Sequence, residues 1–446
     1  MSEPSRTVAP HADGAAAGAK YARPFWRWYA AILLMLVYTC SMADRQIAST
    51  VVQPVKAEFG LTDGQIGLMT GFLFGIANGV AGLITGPLID RVNRRTFLAQ
   101  IVTVWSLATA AVGLAPNFAA LLAARITVGA AEAGGVPASL SLLANVFPEE
   151  RRSTVTGVFY LSAPFGALLA SAGGGYVAAE WGWRWAFFVA AIPGLLLAIL
   201  MLFTLPEPQR TAAPPASGAS AWARVKELGV ALSYILRRPA MAAHYAGLML
   251  IALASGGKVA FMIAFFMRHH QMPLATAGAT LGGIGAVSGI VGALSGGVIA
   301  DWVGARRPVY AQWWLAGVAV AIGLADMAFV LAPSLSLALV AATIGGVVGA
   351  MWLGPGYGIA TSMAPDHLRG KCLAILQMGA NLGAGFGALL VGVLSDAYGG
   401  PGGLGLGLVT VFGVFIVAGG LFAFTAVKEP APLAGSLHAS GAAGLN

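Results

Sequence analysis

Apolar residues in this chain neither alternate nor mark one stripe of a surface helix. They come in long unbroken runs separated by short polar stretches. A membrane-crossing helix needs about 20 consecutive apolar residues. Twelve runs are long enough: 26–52, 63–89, 95–115, 118–146, 152–178, 184–204, 241–267, 275–300, 308–331, 335–363, 370–396 and 404–427. Their continuity argues against a β-barrel, whose strands would read as short alternating segments. Composition agrees: 58% of the residues are hydrophobic and only 9% charged, against roughly 25% charged in a soluble domain. The predicted fold class is an all-α membrane protein with twelve transmembrane helices.

The polar stretches divide the chain. Residues 1–24 read as a disordered tail with no cleavable signal segment. After Leu205 the stretch PEPQRTAAPPASGASA cannot span a membrane and parts six runs from six. The predicted organisation is a six-helix half at 25–205, a linker at 206–239, a second half at 240–428 and a tail at 429–446. Within the linker, Trp222, Val225, Leu228, Leu232 and Ile235 mark one stripe beside Arg and Lys residues, which predicts a helix lying on the membrane interface. The halves echo each other. GPLIDRVNRR at 86–95 matches GVIADWVGARR at 297–307, LAP recurs at 114–116 and 331–333, and PEERRS at 148–153 matches PDHLRGK at 365–371. A duplicated six-span unit is the parallel-repeat plan of a transporter whose site lies between the halves near the membrane middle. Gly67, Gly71, Gly75 and Gly79 in the second run, and similar rows in the eighth and eleventh, predict helices whose backbones approach closely.

Charge sets orientation. Nineteen of the 25 Lys and Arg fall in the tails and even-to-odd loops, and Lys56, Arg184 and Arg268 fall at the other end. By the positive-inside rule both termini are expected in the cytoplasm, in a multi-pass protein of the cell's inner (plasma) membrane. The net charge of +8 is explained by anionic lipid headgroups, so no nucleic acid partner is implied. Cys40 and Cys372 suggest no disulfide framework, and the six His residues show no ligand spacing; no metal or cofactor is expected. Trp181, Trp183 and Trp185 read as an interfacial belt.

The remaining charges lie inside the runs. An ionised side chain at the bilayer centre costs about 2.5–3.5 kcal/mol even on lenient scales, so such residues usually have partners and a task. At about 1.5 Å per residue, Asp44 lies about 14 Å deep, Arg125 about 10 Å, Glu132 about 21 Å and Lys258 about 15 Å. With Arg45 they form one slab. Asp44 and Arg45 are expected to face Arg125 and Glu132 across a water-filled cavity, with Lys258 opposite, alone in its half. Asp326 reads as structural and nearer the surface. Ala342 and Gly349 stand where Arg125 and Glu132 do in the first half, so a scaffolding need common to both halves does not account for the cluster. Burial disfavours a charged carboxylate and a nearby Arg favours it. A Glu whose Arg partner comes and goes would therefore take up and release a proton in each cycle. Tyr160, Trp352, Tyr357, Gln377, Asn381 and Asn78 are candidates to line the cavity.

The segment GxxxDRxxRR, carried by Gly86, Asp90, Arg91, Arg94 and Arg95, resembles the signature of the major facilitator superfamily, with Asn93 in place of the usual glycine. The second copy keeps Gly297, Asp301, Gly304, Arg306 and Arg307. Three further stretches are similar to the spinster-like branch: MADRQI, ARITVGAAEAGGVPASLSLLANVFPEERRS and GWRWAFFVAAIPGLLLAIL. The resemblance implies that Gly86, Asp90, Arg91, Arg94, Arg95, Asp301 and Arg306 belong to an inner gate latching the halves when the cavity opens outward. It also implies proton coupling through Asp44 and Glu132. The expected function is a proton-coupled transporter of an amphiphilic or anionic organic molecule, such as a lysolipid or a sphingolipid-like compound, bound by Arg45, Arg125, Lys258 and the cavity residues, working as a monomer. The alternative is a proton symporter of small organic anions, sugar acids or aromatic acids. An apolar groove open to the side favours the first and a closed polar pocket the second. No Ser/His, paired-Asp or HExxH constellation suggests an intramembrane enzyme.

Overall fold

The structure, a computed structural model, describes residues 20–89, 92–207 and 221–428. Among these, twelve helices are long and apolar enough to cross a membrane. They are α1 (Pro24–Thr50), α2 (Asp63–Gly86), α3 (Arg94–Gly113), α4 (Phe118–Val146), α5 (Glu149–Trp181) and α6 (Trp183–Thr204) in the first half. The second half has α7 (Pro239–His269), α8 (Leu274–Ala305), α9 (Val309–Leu331), α10 (Leu335–Ser362), α11 (Arg369–Tyr398) and α12 (Gly403–Lys428). The apolar runs thus become helices in the expected order.

Their starts are chemically marked. Thr62 and Gln65 form a capping box at α2. The side chains of Asn93, Asn117 and Ser334 cap α3, α4 and α10, each satisfying an N–H that the first helical turn leaves free. Gly60 closes the short surface helix Val52–Phe59 in the left-handed conformation, at φ 61°.

Several helices are interrupted along their length. α4 breaks between Glu132 and Gly135, because Pro137 has no N–H for the Ala133 carbonyl. α10 breaks between Ala350 and Leu353, where Pro355 does the same to Met351. The two breaks occupy matching places in the duplicated unit. α2 and α5 instead carry one π-helical stretch each, Leu68–Phe72 and Leu169–Gly174.

The halves meet through α2 on α11, α5 on α8 and α1 on α7. Glycines set the first two contacts. A Cβ on Gly71 would lie 2.7 Å from the Ala388 Cβ, and one on Gly282 would lie 2.8 Å from the Ser171 Cβ. Further along the same faces, a Cβ on Gly79, Gly82, Gly285 or Gly289 would meet nothing within 4 Å. The halves therefore touch near the loops at 51–62, 270–273 and 399–402, called here the distal end. They part toward the end that carries the described chain termini.

The linker helix spans Ala221–Leu236. Ala231 and Ile235 are buried and Leu228 is half-buried, while Leu232 is exposed. The stripe is thus rotated relative to the expected one, because this helix packs on α11. The side chains of Trp222 and Val225 lie outside the described residues, as do the two tails at 1–19 and 429–446.

Candidate functional site

The charged residues of α1 and α4 come together, and α2 holds them. Gly129 admits the α2 backbone: a Cβ there would lie 2.8 Å from the Phe74 carbonyl oxygen. Phe74 then presents its ring to two guanidinium groups, with Arg45 4.9 Å and Arg125 5.2 Å from the centroid. A desolvated cation–π contact is worth about 2 kcal/mol, so Phe74 helps to keep both cations inside the membrane. Arg45 Nε donates to Glu132 Oε2 at 2.6 Å. Arg125 Nη1 donates to the Asp44 carbonyl at 3.2 Å, and Thr109 Oγ1 donates to Asp44 Oδ2 at 3.1 Å.

The cluster is only partly satisfied. Asp44 Oδ1, Glu132 Oε1 and the Nε and Nη2 of Arg125 are buried without a hydrogen-bond partner. Asymmetry of access is its second feature. The Glu132 side chain is fully buried, whereas the Arg45 side chain is 33% exposed. Arg45 forms part of the wall of a cavity of about 180 Å³ between the halves, with Gln46, Thr70, Asn78, Gly256 and Asn381. The expectation of charges facing one another across water is thus corrected: Arg45 and Glu132 touch, and the cavity opens behind Arg45.

Lys258 also departs from expectation. It is not alone: its Nζ lies 2.5 Å from Asp326 Oδ1, with the carboxylate buried. Lysine's four-carbon stem covers the difference in depth between α7 and α9. The residues of α7 on the cavity wall are Gly256, Val259 and Ala260. The second half therefore has its own buried charge pair, and Lys258 is turned to Asp326.

The other candidates form a line from the open end. Tyr160 is exposed and meets Tyr38 edge-on at 6.2 Å. Trp352 is buried and stacks on Tyr357 at 6.1 Å. Tyr357 OH donates to Gln377 Oε1 at 3.3 Å, and Gln377 Nε2 to Asn381 Oδ1 at 3.2 Å, which reaches the cavity wall.

Of the expected inner gate, Asp90 and Arg91 lie outside the described residues, as does the Arg306 side chain. Arg94 binds Glu207 at 3.1 Å and Ser141 at 3.2 Å, and the Arg95 amide donates to Glu207 at 2.8 Å. These contacts join the first half to the start of the linker and do not reach the second half. Asp301 is exposed, and Gly86 is half-buried at the end of α2.

The distal end carries a lock that sequence reasoning missed. Asp63 opens α2 and accepts hydrogen bonds from Arg268 on α7 (2.6 and 2.7 Å), from Lys56 (2.5 Å) and from Ser395 on α11 (2.7 Å). Asp396 caps the same helix start, accepting from the amides of Asp63 at 2.9 Å and Gly64 at 2.7 Å. One carboxylate per half thus ties the distal ends together. The available signal was weak: Lys56 and Arg268 were the odd cations at that end. Phe74 and Thr109 carried no signal beyond their place in an apolar run.

Comparison with known proteins gives a consistent picture. The family model of the Major Facilitator Superfamily matches residues 34–324. An MFS-type efflux pump of Mycolicibacterium smegmatis is 26% identical over 374 residues, covering 83% of this chain and 85% of the pump. Protein spinster homolog 1 of Rattus norvegicus is 28% identical over 246 residues, covering 53% of this chain and 45% of that protein, so the chain matches under half of its length. A crystal structure of a bacterial homologue of the human lysosomal transporter spinster, inward-facing and unoccupied, superposes with a TM-score of 0.79. It is 23% identical and covers 91% of this chain and 98% of that one.

Proposed function

This chain belongs to the major facilitator superfamily, and on that premise we propose that it is a proton-coupled secondary transporter of an organic anion or an amphiphile with an anionic head. Both termini face the cytoplasm, and the conformation described is open to that side. The observation that carries this reading is the Arg45–Glu132 pair: its cation reaches the cavity and its carboxylate does not.

The chemistry follows from that asymmetry. An anion entering the cavity competes with Glu132 for Arg45. A buried carboxylate stripped of its counterion is costly, by several kcal/mol after relaxation, and the cost is removed by taking up a proton. Anion and proton are then held together. When the anion leaves, Arg45 returns to Glu132 and the proton is released. Asp44, with Arg125 on its backbone and Thr109 on its carboxylate, is the second candidate for a proton. Alternating access supplies the remainder: the distal lock opens while the inner ends close, with Arg94, Arg95, Asp301 and Arg306 at the inner gate. The line from Tyr160 through Tyr357, Gln377 and Asn381 offers the anion an apolar and amide-lined approach. Lys258 bears on substrate through Asp326 and α9, and Trp352 by orienting Tyr357. The protein acts as a monomer in the plasma membrane.

The test is uptake of a panel of radiolabelled compounds into proteoliposomes with an imposed pH gradient. The panel pairs lysophospholipids, fatty acids, sugar acids and aromatic acids with neutral esters or alcohols. An acid that accumulates only with the gradient, while its neutral counterpart does not, supports the reading. Accumulation of a neutral or cationic compound, indifferent to the gradient, refutes it.

A further inference from the structure

Glu132 has a second face. Its Oε2 meets Arg45, and on the other side lies a separate pocket of about 10 Å³, lined by Glu132 with Tyr38, Ser41, Trp105, Gly135 and Ser139. Arg45 does not line this pocket, and Glu132 does not line the central cavity. The Arg45–Glu132 pair therefore separates two compartments, Arg45 facing the cavity and Glu132 the pocket.

The pocket has the size and chemistry for one water. A single water needs roughly 10–15 Å³ by this measure and two to four polar partners. Glu132 Oε1 is buried and without a hydrogen-bond partner. The hydroxyls of Ser41 and Ser139 belong to buried residues on α1 and α4, and Tyr38 adds a phenol. The remaining walls are dry: carbon Cζ3 of Trp105 would lie 3.5 Å from a Cβ on Gly135. The break in α4 creates this space, since Gly135 has no side chain to fill it. The charged and titratable groups around Glu132 are Asp44, Arg45 and Tyr38 from α1 and Arg125 from α4. α2 and α3 contribute Phe74 and Trp105, which do not titrate. Tyr38 continues the path outward: it stacks on Phe159 at 4.9 Å and reaches Tyr160 at the inner opening.

Resting on the reading of Glu132 as the proton carrier, we propose that this pocket holds one water on Glu132 Oε1, and that Ser41 and Ser139 position it as the proton path on the side away from the substrate cavity. On release, Oε1 gives its proton to the water oxygen, that water passes one of its own protons to the Tyr38 oxygen, and Tyr38 gives up its own O–H proton toward the inner opening beside Tyr160. The carboxylate left behind pairs with Arg45. Uptake runs the same steps in reverse. Substrate and proton thus reach the Arg45–Glu132 pair from opposite faces and do not obstruct each other.

The test is infrared difference spectroscopy of the purified full-length protein in nanodiscs, between alkaline and acidic buffer. The carbonyl band of protonated Glu132 is the one lost in Glu132→Gln. Ser139→Val fills the pocket, and the account predicts a shift of that band to higher frequency as the protonated carboxyl group loses the hydrogen bond from its O–H to the water. Ser139→Ala and Ser41→Ala, which remove one hydroxyl each, give smaller shifts in the same direction and decide the matter if the valine variant does not fold. A Glu132 band at the wild-type frequency in all folded serine variants overturns the water path and leaves Glu132 as proton carrier. A spectrum in which Glu132→Gln removes no band overturns the carrier itself, and the path with it.

Discussion

Replacing Asp63 by Asn tests whether the distal end is held shut by charge. The substitution keeps the shape of the side chain and leaves Asp396 capping the start of α2. What it removes is the negative charge paired with both Arg268 and Lys56. Hydrogen bonds to charged groups contribute about 1.5–3 kcal/mol each, and stripping a buried pair of one partner costs about 3–5 kcal/mol. Here the Arg268 and Lys56 side chains remain 25% and 28% exposed, so water compensates in part. The amide also still accepts from Ser395. About 2 kcal/mol is then lost from the closed distal state alone, because in the open state these groups are hydrated in either variant. At 1.4 kcal/mol per factor of ten, the population shifts by about 30-fold toward distal opening. Spin labels at Pro116→Cys and Pro333→Cys, with Cys40 and Cys372 first replaced, report the separation of the distal loops by double electron–electron resonance. A longer distance should appear in Asp63→Asn. An unchanged distribution would refute charge as the lock.

Glycine packing should set the same equilibrium by sterics: Gly71→Val drives a branched side chain into Ala388 and Gly385, and the label pair should again report a longer separation. Lys258→Ala strands the buried Asp326 and should lower stability by about 3–5 kcal/mol, read as thermal unfolding, with Lys258→Met/Asp326→Leu recovering most of it. Arg184, at 2.6 Å, and then Trp183, also at 2.6 Å, hold Glu58 below the usual carboxylate range by hydrogen bonding. A depressed carboxylate stabilises the fold above its unfolded pKa of about 4.3 and ceases to do so as pH falls through the folded value. The difference in melting temperature between wild type and Glu58→Gln should therefore be present at pH 7 and vanish on acidification toward pH 3.

The helices were legible because a bilayer demands unbroken apolar length, and polar caps such as Thr62, Asn117 and Ser334 mark where that length begins. Asp44, Arg45, Arg125 and Glu132 were legible for the converse reason, since a charge inside such a run is too costly to be casual. Their pairing was not. Residue spacing along α4 places Arg125 and Glu132 on one face, but it says nothing of Phe74, which arrives from α2 and holds both guanidinium groups. Lys258 was misjudged because depth was counted from helix ends. The offset between the halves would have served better: it sets Lys258 against Asp44 and Asp326 against Thr109, and Asp44 and Thr109 are themselves in contact. The Asp63–Arg268 lock joins residues 205 apart in sequence and from different halves, so only the folded arrangement brings it into view.

The central claim is that Glu132 carries the proton and Arg45 transmits the arrival of substrate to it. The most direct measurement compares wild type and Glu132→Gln in proteoliposomes, using the acid identified by the uptake panel. Gradient-driven accumulation and gradient-free exchange of that acid are followed side by side. The account predicts that Glu132→Gln, a permanently neutral side chain, abolishes accumulation and retains exchange. Accumulation of the acid by Glu132→Gln at the wild-type level under the pH gradient would contradict it.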